Sequence, residues 1–156
     1  MRQTKKSTPA RRMAVEIISA LLVLLFVYAA ISKLIDHKQF AHTLGKVSLL
    51  APVAIAISWL VPVAELIISG LLLGKRTRLA GLAASLSLLL LFTAYLSFTL
   101  ALGTNIPCSC GGILQGMKWG PHIAFNMVFV LLAFIAINLE LKNSHIQHEQ
   151  TLEATF

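Results

Sequence analysis

Residues 79–102 read LAGLAASLSLLLLFTAYLSFTLAL, a run without one charged side chain. A helix of that length rises about 36 Å, enough to cross the ~30 Å hydrocarbon core of a bilayer. Its polarity is mostly small hydroxyls, Ser85, Ser87, Thr93, Ser97 and Thr99, and small residues let helices approach closely in lipid. The rest of the chain agrees. Over 156 residues it is 57% hydrophobic and 12% charged, whereas soluble domains carry about a quarter charged residues. The expected fold is therefore all-α, an integral membrane four-helix bundle, and its first partner is the lipid bilayer.

Working outward from that run, the basic turn 74–78 (GKRTR) precedes it, and before the turn lies a second apolar run, 51–73, containing Pro52, Pro62 and Glu65. Pro52 suits a first helical turn. Pro62 is expected to kink or interrupt its span, because it lacks an N–H and crowds the preceding turn. Residues 35–50 are polar and mixed, yet Phe40, Leu44 and Val47 recur at helical spacing, which predicts a short amphipathic helix at the membrane interface. A third apolar run, 15–34, follows the basic segment 1–14. It is too long for a signal-peptide core and has no small-residue cleavage site at the right distance, so it reads as the first span. On the other side of the opening run come a loop, 103–121, and a last span, 122–141, with Pro121 at a favourable first helical position. The tail, 142–156, is polar and expected to be solvated and poorly ordered.

The formal charge is +7. In a soluble protein that excess would suggest nucleic acid. Here the cations sit at the ends of apolar runs, so the charge expresses topology and nucleic acid is not a partner. Placing both termini and the 74–78 turn in the cytoplasm collects nine of the thirteen Lys and Arg residues inside. In a bacterial inner membrane that orientation puts the 103–121 loop in the periplasm, an oxidising compartment.

That loop holds both cysteines of the chain, in Asn105-Ile-Pro-Cys-Ser-Cys-Gly-Gly-Ile113, followed by Met117-Lys-Trp-Gly-Pro-His122. Two cysteines this close contribute little through loop entropy, so their value is chemical or local. Three readings stand. Cys108 and Cys110 form a redox-active dithiol; or, with Met117 and His122, they bind a soft ion such as Cu(I); or they pin a docking surface. For the first, a closed Cys-Ser-Cys ring needs a bend, and Gly111 and Gly112 supply the backbone freedom it requires. The amino end of the last helix, Lys118 and His122 would favour a thiolate. Against that, Lys118 reads equally as an interfacial cation and His122 as a helix-start residue. Trp119 fits the aromatic belt at the outer interface. Asn126, one turn beyond His122 on the same helix face, is placed to bond another helix or the loop.

Two ionisable residues fall inside apolar runs, Lys33 and Glu65, and each raises a functional hypothesis. Lys33, near the outer end of the first span, has the option of snorkelling to the headgroups. Glu65 has not; it must be neutral, paired or facing water. Counting a helix from Ala51 leaves the two at depths differing by roughly 14 Å at 1.5 Å per residue, so direct pairing needs the second span to enter the hydrocarbon late, near Ile57.

The set Ser32-Lys33-Leu34 with Phe40, Pro62-x-x-Glu65, Cys-Ser-Cys-Gly-Gly, Trp119-Gly-Pro and Asn126 resembles the MauE and DoxX group of small redox-associated membrane proteins, over most of residues 15–141. The resemblance implies a role in methylamine utilisation of the MauE type, supporting disulfide formation or maturation of a periplasmic enzyme. DoxX-like proteins include a subunit of a thiosulfate:quinone oxidoreductase. Thiol exchange at the loop calls for a periplasmic thioredoxin-like protein or client as partner, and regeneration calls for an electron acceptor such as a membrane quinone. Quinone-linked four-helix thiol oxidases, similar in outline only, relay electrons through a second cysteine pair. This chain has none, which favours an accessory subunit over an autonomous enzyme.

Overall fold

The computed structural model describes residues 9–46, 50–101 and 119–153. Five α-helices follow in order: α1 Pro9–Ile35, α2 His37–Gly45, α3 Ala54–Leu73, α4 Arg78–Ala101 and α5 Trp119–Glu153, with a 3₁₀ turn Ala51–Val53 leading into α3. Four segments are long and apolar enough to cross a membrane: Pro9–Ile35, Ala51–Leu73, Arg78–Ala101 and Gly120–Ser144. The protein is an integral membrane four-helix bundle. Packing runs α1 to α3, α3 to α4, α4 to α5 and α5 back to α1, which closes the ring.

Each helix presents one seam to the bundle centre. On α1 it runs Val15, Ile18, Leu22, Phe26, Ala30 and Lys33, and on α5 His122, Asn126, Val130, Ala133 and Ala136, all buried. These are three- and four-residue steps, the spacing that keeps side chains on one face of a helix. The opposite faces carry exposed Leu24, Ile55, Leu91 and Leu131. In a soluble protein such an exterior would aggregate; in a bilayer it faces acyl chains. Gly81 brings α4 onto α3. A Cβ there would lie 2.9 Å from the Leu72 nitrogen and 3.1 Å from the Leu71 carbonyl carbon, so only hydrogen fits against that backbone. Thr77, in the turn, donates from Oγ1 to the Leu71 carbonyl at 2.8 Å and so satisfies one of the carbonyls that the end of α3 leaves open.

Several expectations are revised. Pro62 does not interrupt its span: α3 continues through it, and the ring is fully buried against neighbouring helices. Membrane helices tolerate such residues because surrounding protein compensates the lost bond. The short amphipathic helix forms as α2, but Phe40 and Leu44 pack on Ala54, Ile57, Val61 and Tyr95 rather than on lipid. The last span begins earlier and ends later than 122–141. Pro121 is the third residue of α5, still in its first turn, and α5 runs on to Glu153 because residues 142–153 contain no proline or glycine to stop it. The poorly ordered tail expected from residue 142 is therefore helical for most of its length.

Candidate functional site

Near the end of the bundle where α1 finishes and α5 begins, four polar side chains sit in hydrocarbon surroundings. Lys33, Glu65, His122 and Asn126 are 2%, 1%, 4% and 8% exposed. They line one cavity of about 40 Å³ between α1, α3, α4 and α5, walled otherwise by apolar residues such as Phe26, Leu89 and Phe92.

Lys33 does not snorkel. Side chains on a helix lean toward its amino terminus, and near the carboxyl end of α1 that direction points into the bundle. The ammonium donates to Glu65 Oε1 at 2.7 Å and reaches back to the Ala29 carbonyl at 3.5 Å. It also lies 5.3 Å from the Phe92 ring centroid and 5.9 Å from that of Phe40, within the range in which an aromatic face attracts a cation. The lysine is thus held by a carboxylate, a carbonyl and two rings. Glu65 has a second oxygen, Oε2, that is buried and without a partner among the described residues.

The register that permits this pair is set by α2. Ser58 Oγ donates to the Ile55 carbonyl at 2.7 Å and lies 2.9 Å from His37 Nε2. With its one hydroxyl proton committed to Ile55, Ser58 accepts from an Nε2–H of His37. His37 also lies against Trp59, with ring centroids 4.3 Å apart and planes tilted by 38°. These contacts put the start of α2 level with Ser58, next to Ile57. Glu65 then lies seven residues, about 10 Å, deeper along α3. Lys33 is one turn back from His37, and its four-carbon stem covers the remaining distance.

A second tie joins α4 and α5. Asn126 Nδ2 donates to Thr93 Oγ1 at 2.7 Å and to the Leu89 carbonyl at 3.2 Å, while Thr93 Oγ1 donates to that same carbonyl at 2.8 Å. Every proton in this group has an acceptor. Asn126 bonds a neighbouring helix, one of the two roles its position in the sequence suggested. His122, one turn nearer the loop, leaves Nδ1 buried and without a partner among the described residues.

The structure thus brings Lys33, Glu65, His122 and Asn126 together. Cys108, Cys110, Met117 and Lys118 lie outside the described residues, as does the Trp119 side chain; the backbone of Trp119 opens α5. Among the described residues no group of three His, Cys, Asp or Glu side chains is arranged to hold a metal. Sequence reasoning missed Thr93, Phe92, His37 and Ser58. Thr93 looked like one of five interchangeable hydroxyls, and only its rotation toward α5 separates it from Ser87, which bonds within its own helix to the Ala83 carbonyl.

Chemically, the cluster cross-braces the bundle: a charged tie from α1 to α3, an amide tie from α4 to α5, and between them a small space lined by Glu65 and His122, each with one buried polar atom that has no partner among the described residues. Buried charges in a membrane face inward, pair, and mark functional regions. The family model described as methylamine utilisation protein MauE matches residues 11–139. No curated protein and no solved structure matches the chain.

Proposed function

We propose, since this chain belongs to the MauE family, that it takes part in thiol-disulfide exchange or in maturation of a partner on the outer side of a bacterial inner membrane, through Cys108 and Cys110. The observation that supports this reading is where the polar cluster lies. α4 ends at Ala101 and α5 starts at Trp119, and the loop that carries the cysteines joins them. Thr93 with Asn126 braces those two helices about two turns in from their ends, and Lys33 with Glu65 braces α1 to α3 beside them. A reactive loop on a rigid platform presents its thiols in one place, and the amino end of α5 favours the thiolate that attacks.

Exchange conserves electrons. One cysteine thiolate attacks a sulfur of the partner's disulfide, forming a mixed disulfide and releasing a partner thiolate. The second cysteine then displaces the partner, which leaves as a dithiol while Cys108 and Cys110 become joined. The reverse sequence oxidises the partner. A thioredoxin-like protein or a maturing client fits that role, and net turnover in the oxidising direction needs a two-electron acceptor, for which a membrane quinone has the chemistry. The charge distribution favours cytoplasmic termini, with the loop in the periplasm.

Two measurements test this. In native membranes equilibrated with thiol/disulfide buffers, alkylation should show the pair moving between dithiol and disulfide; a pair locked in one state across the whole range defeats exchange and leaves a docking loop. An impermeant maleimide should reach the reduced loop from the outer face. Labelling from the cytoplasmic face alone overturns the topology.

A further inference from the structure

The opposite end of the bundle carries a second, unrelated cavity of about 180 Å³, lined by Arg12 and Glu16 of α1, Lys75 and Arg78 at the α3–α4 turn, and Glu140 and Asn143 of α5. Three cations and two carboxylates converge there, yet none of these cations lies within ion-pair distance of either carboxylate; the one ion pair among the described residues is Lys33 with Glu65. Opposite charges on flexible side chains ordinarily close on each other, and here a space stays open between them. Two of its lining residues also carry a buried polar atom that is unpartnered among the described residues. Arg78 Nε, a donor, is buried, and Asn143 Oδ1, an acceptor, belongs to a side chain only 6% exposed. The cavity sits where all four spans begin or end, the position that meets the headgroups when such helices cross a bilayer.

We infer that this cavity holds a phospholipid headgroup containing a phosphodiester and a primary ammonium, as in an ethanolamine lipid. The phosphate lies against Arg12, Lys75 and Arg78, with Nε of Arg78 donating to it. The ammonium lies against Glu16 and Glu140 and donates to Asn143 Oδ1. The arrangement discriminates among lipids by chemistry. A choline headgroup has no N–H to donate to Asn143. A glycerol headgroup places no cation beside the two carboxylates. A serine headgroup adds a carboxylate that Glu16 and Glu140 repel. The acyl chains run along the exposed apolar flanks of the adjoining helices.

The test is native mass spectrometry of the full-length protein released from nanodiscs that contain equal amounts of ethanolamine, choline and glycerol phospholipids with matched chains. A charge-assisted hydrogen bond contributes about 1.5–3 kcal/mol, so the ethanolamine lipid should be retained roughly tenfold or more over the other two. Arg78→Gln should weaken retention of all three, because each has the phosphate. Glu140→Gln should erode only the preference for ethanolamine. Both substitutions are at half-buried positions and keep polar side chains, and retained helical circular dichroism confirms folding. Equal retention of the three lipids, or a preference that survives both substitutions, overturns the proposal. So does a full-length chain that retains no lipid but gains one when residues 2–8 are deleted, which would make that segment the occupant. Glycerophosphoethanolamine competing as well as the intact lipid would move the ligand from the bilayer to the aqueous phase and overturn the lipid assignment.

Discussion

Removing one partner of the Lys33–Glu65 pair should be among the most damaging single changes in this chain. In Glu65→Leu the ammonium keeps a 3.5 Å contact to the Ala29 carbonyl and two ring faces at 5.3 and 5.9 Å, and loses its only anion among the described residues. Both side chains are almost wholly excluded from the surface, at 2% and 1%, so no solvent screens what is left. Breaking a buried pair from one side costs about 3–5 kcal/mol, whereas replacing both partners with apolar groups of similar volume is neutral or stabilising. Lys33→Met and Glu65→Leu should therefore each cost in that range, and the double variant should return to within about 1 kcal/mol of the parent or better. For a chain of this size each kcal/mol corresponds to about 2–4 °C, so each single variant should melt roughly 6–20 °C lower. Thermal unfolding in nanodiscs, followed by circular dichroism and by the fluorescence of Trp59 beside α2, measures all four proteins. Single losses below about 1 kcal/mol that simply add in the double variant would refute the reasoning, for they would mean the two charges do not depend on each other.

The second tie behaves differently because it is neutral. Asn126→Leu should cost about 1–2 kcal/mol, and a double-mutant cycle with Thr93→Val should give a coupling of about 0.6–1.7 kcal/mol; zero coupling removes Thr93 as the partner. Gly81→Ala should destabilise the bundle by about 1–3 kcal/mol, since the new methyl meets backbone atoms of α3 that have no rotamer to change. The same substitution at Gly70, where no atom lies within 4 Å of the added carbon, should be neutral or slightly favourable, so equal melting temperatures for the two variants contradict the close approach.

The four spans were legible from residues 79–102 outward because hydropathy is a sum along the chain, and in lipid every backbone bond must close within its own helix. Lys33 and Glu65 were legible as anomalies for the same reason: a charge in an apolar run is conspicuous wherever it points. That they meet was not legible, because pairing depends on where α3 starts. The contact between Ser58 and His37, 21 residues apart in sequence, fixes the level of that start against α2. Pro62 carries the same lesson: its local rule allows a break or a kink, and α3 runs on through it without the break.

By itself, then, the amino-acid sequence determined that this chain lives in a membrane as four helices, that its cysteines share one loop, and which two charges needed an explanation. Tertiary structure decided which helices adjoin, that Lys33 points inward to Glu65, and that Thr93 alone among its hydroxyl neighbours meets Asn126. It also decided that Arg78 and Asn143 face a common space. The difference has one physical cause. Composition and period act along a helix axis, whereas each of these contacts requires two helices to agree in rotation and in depth to within a fraction of a turn, and only their packing sets those.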